Sequence, residues 1–297
     1  MNRIPYLKQN DKIAIVATAR KISAEELDFA IKTIKAWGLQ AVLGKNIYAI
    51  ENQFAGSDKQ RAEDLQWAIN DDSIKAIIIA RGGYGTIRIV DAIDFTKLKT
   101  NPKFIIGYSD VTVLHSHIHN HIGVPTLHAT MPINFNKNAE AVETLRKCLF
   151  GEKVSYQFEA NPLNKTGEVN GVLIGGNLSL LYALSGTASD IDTKGKILFL
   201  EDLDEYLYHI DRMMLNLKRS GKLTNLKAIV VGGFTDMKDN TIPFGKTAEE
   251  IILEAVKEYN FPVCFNFPAG HIDRNLALCF GKKVSLQISR NNCSLTF

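Results

Sequence analysis

The chain has 297 residues, of which 45% are hydrophobic and 23% charged, a composition typical of a globular protein large enough for two hydrophobic cores. Its 35 basic and 32 acidic residues give a formal net charge of +3 and are spread along the chain, so no basic block supports nucleic-acid binding. The apolar runs are too short for a signal-peptide core or for the ~20 residues of a membrane span, which predicts a cytoplasmic protein without a membrane partner.

The N-terminal half alternates between predicted strands and helices. Strands are expected at residues 12–17, 41–43, 75–80, 104–106 and 124–127. Helices are expected at residues 23–37, 57–69 and 86–93 and from Ser109 to about Gly123, and Ser23 with Glu26 forms a capping box. This alternation predicts a parallel sheet with helices on both faces and with ligands at the carboxyl ends of its strands.

The predicted domains are an N-terminal α/β domain over residues 1–150, a polar linker over residues 151–165, and a smaller α/β or α+β domain over residues 166–297. In the last, strands are expected at residues 167–174, 196–200 and 228–231, the first and last of them followed by glycine turns at 175–177 and 232–233. Helices are expected around residues 203–220 and at 247–259. The apolar stripe of the first of these helices is Leu203, Leu207, Ile210, Met214 and Leu217.

Residues 104–114, F-I-I-G-Y-S-D-V-T-V-L, read as a buried strand, a tight turn and a helix. A serine in such a turn, here Ser109, has the geometry of a nucleophile elbow, beside N–H groups that favour developing negative charge. The alternative is that Ser109 or Asp110 only caps the helix, because both residue types are favoured caps and the second glycine of G-x-S-x-G is missing.

The glycines at 82, 83 and 85 follow a predicted strand and allow three interpretations. A nucleotide loop is poorly supported, because the G-K-S/T signature is absent and Arg88 stands where G-x-G-x-x-G needs its last glycine. The loop is otherwise a source of a backbone N–H for an oxyanion hole, or simply a turn at the entry to a helix.

Four histidines, His115, His117, His119 and His121, form two pairs on different faces of one predicted helix, without the glutamate of H-E-x-x-H. They are interpreted as surface or partly buried residues rather than metal ligands. The cysteines at 148, 264, 279 and 293 lack C-x-x-C spacing, so buried reduced thiols are expected instead of a metal site or disulfides.

Glu201 and His271 also follow buried strands, as Ser109 does. A carboxylate, an imidazole and a hydroxyl at strand ends are compatible with a catalytic triad, although three such residues arise by chance in many α/β proteins.

Several motifs together resemble the LD-carboxypeptidase (muramoyltetrapeptide carboxypeptidase) family of serine peptidases. They are A-R-G-G-Y-G at 80–85 with Arg88, G-Y-S-D-V-T at 107–112, G-G-N-L at 175–178, E-D at 201–202 with Y-H-I-D-R-M at 208–213, G-F-T-D at 233–236, and G-H at 270–271 followed by Asn275. Each motif is weak alone, but their order and spacing are specific.

The resemblance implies that Ser109 is the nucleophile, His271 the general base and Glu201 the residue that orients it. It further implies an oxyanion hole formed by the backbone N–H groups of Gly83 and Asp110. Gly82 and Asn177 are the candidate substrate-binding residues. The N-terminal domain is expected to be similar to class I glutamine amidotransferases, members of the family are typically homodimers, and the chemistry needs no metal or organic cofactor.

The implied reaction is hydrolysis of the L,D-peptide bond that releases the terminal D-alanine from murein tetrapeptides or muropeptides during cell-wall recycling. Two alternatives stay open at this point. A related branch of the family resembles microcin-immunity hydrolases, which cleave peptidyl or aminoacyl nucleotide amides with the same triad. A non-enzymatic ligand-binding protein on the same scaffold would keep the glycine loop but would not need Glu201 or His271.

Overall fold

The computed structural model describes residues 4–297, which form two compact units. Among these residues, the first unit comprises residues 4–153 together with Asp273–Phe280, and the second comprises Val154–Ile272 and Gly281–Phe297. The predicted boundaries differ from this division, because residues 155–159 of the expected linker form a strand and residues 273–280 belong to the first unit. Both differences arise from strand pairing between distant segments, which local sequence patterns do not reveal.

The first unit contains a six-stranded sheet. Its strands are β1 (Lys12–Val16), β2 (Gln40–Leu43), β3 (Ile74–Ile79), β4 (Phe104–Gly107), β5 (Thr126–His128) and β11 (Leu278–Phe280). Their order is β11-β5-β4-β3-β1-β2, and all neighbours pair in parallel except β11, which runs antiparallel to β5. The predicted parallel sheet is therefore confirmed, with an antiparallel strand added at one edge.

Helices connect the strands of the first unit. They are α1 (Ala24–Ala36), α2 (Asp58–Asn70), α3 (Lys97–Thr100), α4 (Thr112–His121) and α5 (Ala139–Phe150). The capping box of Ser23 and Glu26 is confirmed at the start of α1. The helix predicted at 86–93 is wrong, because this segment forms two short 3-10 turns, Thr86–Arg88 and Val90–Ala92. Its β-branched residues lose side-chain freedom in an α-helix, which disfavours that conformation.

The second unit contains a seven-stranded mixed sheet. Its strands are β6 (Ser155–Glu159), β7 (Gly167–Asn177), β8 (Lys196–Leu203), β9 (Ala228–Thr235), β10 (Val263–Cys264), β12 (Lys283–Ile288) and β13 (Asn292–Thr296). The order is β10-β9-β8-β7-β12-β13-β6, in which β7 to β10 pair in parallel and the remaining pairs are antiparallel. Its helices are α6 (Leu178–Ala183), α7 (Leu207–Arg219) and α8 (Ala248–Ala255).

Three strands of the second unit extend further than predicted. Glycines at 175–176 and 232–233 lie inside β7 and β9 rather than in turns, because pairing with β8 continues past them. Leu203 ends β8 and is not part of the helical stripe, whereas Ile210, Met214 and Leu217 of α7 are buried as predicted. Helix α8 ends at Ala255, before the predicted end at residue 259.

The cysteines differ in how deeply they are buried. Cys264, Cys279 and Cys293 are buried, as predicted, and Cys148 is partly buried. Over residues 4–297, no helix combines the length and the apolar character that crossing a bilayer requires.

Candidate active site

Ser109 lies at the turn between β4 and α4 in the first unit. Its φ angle of +63° places the backbone in the left-handed region, which costs a non-glycine residue about 1–3 kcal/mol when the surrounding structure imposes it. A 3-10 turn over Ser109–Val111 leads into α4, whose N-cap position is Val111, so neither Ser109 nor Asp110 caps this helix. The strand, turn and helix predicted around Ser109 are thus confirmed, and the capping interpretation is wrong.

The glycine loop after β3 contacts the serine directly. A Cβ atom at Gly82 would lie 3.0 Å from the Ser109 Cβ and 3.1 Å from its Oγ. Gly83 has a φ angle of +117°, and a Cβ atom there would lie 2.6 Å from the Cγ of Arg20. Both positions therefore need glycine: the first leaves room for the hydroxyl, and the second combines a left-handed backbone with a close side-chain neighbour.

Buried polar groups join the serine turn to the glycine loop. Asp110 accepts a hydrogen bond from the backbone N–H of Thr86 at 2.8 Å, and the hydroxyls of Thr86 and Thr18 lie 2.7 Å apart. The Arg61 guanidinium donates to the carbonyls of Thr18 at 2.6 Å and Gly85 at 3.0 Å. Three segments distant in sequence are thereby fixed relative to one another around Ser109. Sequence reasoning missed Thr18, Arg61 and Thr86 because no motif marks them.

His115 contacts the end of the strand that precedes the serine turn. The prediction that it lies at the surface or is partly buried is wrong. The side chain is fully buried and its Nε2–H donates to the carbonyl of Gly107, the last residue of β4, at 2.9 Å. Burial lowers the pKa of His115 to about 4, against the opposing effect of that hydrogen bond, so the ring is neutral near pH 7. Over residues 4–297, no three His, Cys, Asp or Glu side chains are arranged to hold a metal ion.

Glu201 and His271 contact each other within the second unit. The Oε2 of Glu201 accepts hydrogen bonds from the His271 Nδ1 at 2.7 Å and from the His271 backbone N–H at 3.2 Å. Glu201 is fully buried, whereas the side chain of His271 is 14% exposed. Because a carboxylate accepts the Nδ1 proton, the neutral ring has a lone pair on Nε2 and is able to accept a proton there.

The strand ends fix the geometry of this pair. Glu201 pairs with Asn177 of β7 in regular register, whereas on its other side two residues of β9, Gly232 and Gly233, oppose it, which makes the pairing of β8 with β9 irregular there. The loop that carries His271 is hydrogen-bonded along β9: Phe267 N–H to Val231 O at 3.0 Å, Gly233 N–H to Ala269 O at 2.9 Å, and Thr235 Oγ1 to His271 O at 3.2 Å. The imidazole is thereby attached to the rigid sheet.

Charges around His271 favour its protonated form. Burial of the ring is the largest single influence and lowers the pKa, but the negative charge and hydrogen bond of Glu201, with a smaller contribution from Asp202, outweigh it and raise the pKa of His271 above its usual 6.5. Burial, and then the charge of Glu201, raise the pKa of Asp202 to about 7. The charge of Glu201 therefore helps to raise the pKa values of both His271 and Asp202.

Asn177 contributes to the same strand end through its side chain. Its Nδ2 donates to Asp202 at 2.9 Å, and its Oδ1 accepts from the Leu180 backbone N–H at 3.1 Å and the Ser179 hydroxyl at 2.7 Å, so Asn177 caps helix α6. These contacts give Asn177 a structural role. Substrate binding by Asn177 or Gly82 stays a prediction.

Comparison with known proteins identifies the family. Residues 13–129 match the LD-carboxypeptidase N-terminal domain of peptidase family S66, and residues 170–286 match the corresponding C-terminal domain. A Bacillus subtilis protein named "probable murein peptide carboxypeptidase" is 36% identical over 291 residues, which cover 94% of this chain and 90% of the relative. The murein tetrapeptide carboxypeptidase of Pseudomonas aeruginosa is 29% identical over 293 residues, 94% of each chain. The chain belongs to the LD-carboxypeptidase family.

Solved structures share the fold. The muramoyltetrapeptide carboxypeptidase of Oxalobacter formigenes superimposes with a TM-score of 0.88 at 28% identity, over 96% of this chain and 98% of that one. The microcin C7 self immunity protein MccF superimposes with a TM-score of 0.86 at 22% identity, over 98% and 97% of the two chains. At that identity, the similarity to MccF concerns the fold alone.

Proposed function

We propose that this protein is a serine carboxypeptidase that hydrolyses the L,D-peptide bond of murein tetrapeptides and releases the terminal D-alanine in peptidoglycan recycling. Family membership and the names of the two curated relatives support this substrate. The observation that carries the proposal is the contact between the buried carboxylate of Glu201 and the Nδ1 of His271 at 2.7 Å. This is the arrangement by which a general base is oriented in triads of the Ser-His-acid type.

In the proposed mechanism, the Nε2 of His271 removes the proton of the Ser109 hydroxyl as its Oγ attacks the scissile carbonyl. Glu201 holds the imidazolium that forms, and the backbone N–H groups of Gly83 and Asp110 stabilise the oxyanion. The imidazolium then protonates the amine of the departing D-alanine, and an acyl-enzyme remains on Ser109. Water, deprotonated by the same imidazole, hydrolyses the ester. Apart from this water, the groups that act in each step belong to the chain itself.

The decisive experiment is mass spectrometry of a murein tetrapeptide incubated with the wild-type protein and, in parallel, with Ser109→Ala. We expect loss of one alanine with the wild type and no loss with the variant above background. Labelling by a fluorophosphonate probe, which reacts with activated serines, should follow the same pattern. A labelled protein that leaves the tetrapeptide intact would be a serine hydrolase of other specificity, whereas failure of both assays would exclude a nucleophilic Ser109.

The family resemblance supports two further proposals, a homodimeric assembly and a cytoplasmic location. Light scattering coupled to size exclusion tests the first, and fractionation of cells tests the second. The likeness of the first unit to class I glutamine amidotransferases also stays a prediction, and the parallel sheet with Ser109 two residues after β4 supports it.

A further inference from the structure

Arg20 is an exposed cation that lies across the glycine loop of the first unit. A Cβ atom at Gly83 would lie 2.6 Å from the Cγ of Arg20, 2.7 Å from its Cδ and 3.0 Å from its Nε. Its aliphatic stem therefore covers the bare backbone of Gly83, while the preceding residue, Gly82, packs against the Ser109 hydroxyl. Arg20 and Ser109 thus contact consecutive residues, whose Cα atoms are about 3.8 Å apart.

The backbone on both sides of Arg20 is fixed. The N–H of Ala55 donates to the carbonyl of Ala19 at 3.0 Å, and the N–H of Lys21 donates to the carbonyl of Gln53 at 3.0 Å. The Arg61 guanidinium, which binds the carbonyls of Thr18 and Gly85, joins this segment to the glycine loop. The position of the Arg20 backbone relative to the loop is therefore built into the fold.

Other arginines of this neighbourhood already have anionic or carbonyl partners. Arg61 and Arg88 both bind Asp58, and Arg81 donates to the carbonyl of Lys21 at 3.1 Å. Within residues 4–297, by contrast, the guanidinium of Arg20 makes neither a hydrogen bond nor an ion pair. Its donors are therefore available to an anion that comes from outside the chain. A carboxylate is a suitable anion, because the two N–H groups of a guanidinium fork match its two oxygens.

A peptidase that removes one terminal residue must recognise a free carboxylate close to the scissile bond. In a peptide, the terminal carboxylate carbon is about 3–4 Å from the carbonyl carbon that the nucleophile attacks, as standard bond lengths require. That spacing is comparable with the spacing of Gly82 and Gly83, which contact Ser109 and Arg20 respectively.

We propose that Arg20 binds the C-terminal carboxylate of the substrate and so restricts hydrolysis to the last residue of the peptide. This inference rests on the proposed function, because it assigns Ser109 as the nucleophile. It makes Arg20 a specificity-determining residue, and it gives Gly83 a second role as the position whose missing side chain admits the arginine stem.

The test measures binding in the Ser109→Ala background, where no turnover interferes. Calorimetry gives the Kd for a murein tetrapeptide with a free C-terminal carboxylate and for the same peptide with a C-terminal amide. We expect Arg20→Ala to weaken binding of the free acid by about 10- to 100-fold, as loss of a charge-assisted bidentate contact implies, and to change binding of the amide less than about twofold. Arg20→Lys should recover part of the loss.

Lys21→Ala is the matched control, since it removes an equal exposed charge one residue along the chain. It should leave both Kd values unchanged. An equal loss for acid and amide, an unchanged Kd for the acid, or absence of any acid preference in the parent would each overturn the role of Arg20. Release of D-alanine by the protein with native Ser109 reports separately on the proposed function, so the two failures are distinguishable.

Discussion

The serine turn of the first unit and the Glu201–His271 pair of the second are held in place by different kinds of interaction. Around Ser109 the conformation of the backbone fixes the positions of the groups, with φ of +63° at the serine and +117° at Gly83. Around His271 the buried carboxylate of Glu201 fixes the ring, because one of its oxygens accepts two hydrogen bonds from His271. The difference implies that steric changes should disable the first region, whereas changes of charge and pH should disable the second.

The largest effect is expected from His271→Ala. Loss of the proposed general base should lower the rate of D-alanine release by at least about 10³-fold, while the fold persists because the loop is hydrogen-bonded along β9. The rate and the urea unfolding midpoint are measured together.

His209→Ala provides the control, because His209 forms a similar contact with Glu205, 2.6 Å from Nδ1 to Oε2. This variant should retain wild-type activity. If His271→Ala kept more than a tenth of that activity, or if both variants lost it equally, the assignment of the base would be contradicted.

The second prediction concerns backbone shape in the first unit. Gly83→Ala imposes an unfavourable φ and a Cβ within 3 Å of Arg20, so we expect kcat/KM to fall by about 10- to 100-fold with a loss of about 1–3 kcal/mol in unfolding free energy. Gly123→Ala is the matched control. Gly123 also has a positive φ, +72°, but nothing lies within 4 Å of its Cβ position, so the variant should lose stability by backbone strain while keeping its activity.

Comparison of the two variants separates the effect of backbone strain, which both impose, from the effect of crowding against Arg20, which only Gly83→Ala imposes. Equal kcat/KM values for the two variants would show that the loop geometry around Gly83 does not matter for turnover. Unfolding in urea, with turnover assayed on the same samples, gives both quantities.

The third prediction tests charge in the second unit through the pH dependence of activity. Only the neutral imidazole accepts a proton, so kcat/KM should rise with pH through the pKa of His271, which lies above 6.5. Glu201→Gln removes the charge that raises this pKa, so the rise should move to lower pH. The plateau should fall by about 10- to 10³-fold, because the ring is less well oriented. A rise that stays in place or moves to higher pH would exclude Glu201 as the main group that raises the pKa of His271.

Local patterns in the sequence predicted the elements that carry the site. The apolar run before Gly107, with Ser109 and Asp110 after it, indicated a strand, a tight turn and a helix, and the structure has them. Glu201 and His271 were proposed as partners, and they are in contact. These features depend on residues adjacent in sequence or on motifs, which one sequence displays.

The supporting residues were not predictable in the same way. His115 is buried under the serine turn because Gly107 and Phe280 provide partners from other segments, and its ring packs edge-on against Phe280 at 5.4 Å. Arg61 binds carbonyls that are 43 and 24 residues away in the chain. The strands around Glu201 are longer than predicted, because β-pairing that continues across glycines depends on neighbouring strands rather than on local propensity.

The smallest effect on activity is expected from Asp202→Asn. This variant distinguishes the contribution of Asp202 from that of Glu201, the other carboxylate of β8. Asp202 accepts hydrogen bonds from Asn177, from the Ser179 N–H at 2.8 Å and from the Leu203 N–H at 2.9 Å, and an asparagine retains one acceptor oxygen there. Activity should change less than about threefold near pH 8, and its rise with pH should shift slightly downwards, because Asp202 contributes only weakly to the pKa of His271.

Stability supplies the sharper readout for Asp202. The folded pKa of about 7 exceeds the unfolded value of about 3.9, so the folded protein binds the proton more tightly. The stabilisation from this group is therefore complete below pH 4 and is lost as pH rises through 7. Between pH 4.5 and 7.5, Asp202→Asn should gain about 1–3 kcal/mol of unfolding free energy relative to wild type. The exposed neighbour Asp204, replaced by Asn, should show no such gain. If the unfolding free energies of wild type and Asp202→Asn differed by the same amount at every pH, Asp202 would be ionised throughout this range. That result would contradict a raised pKa of Asp202.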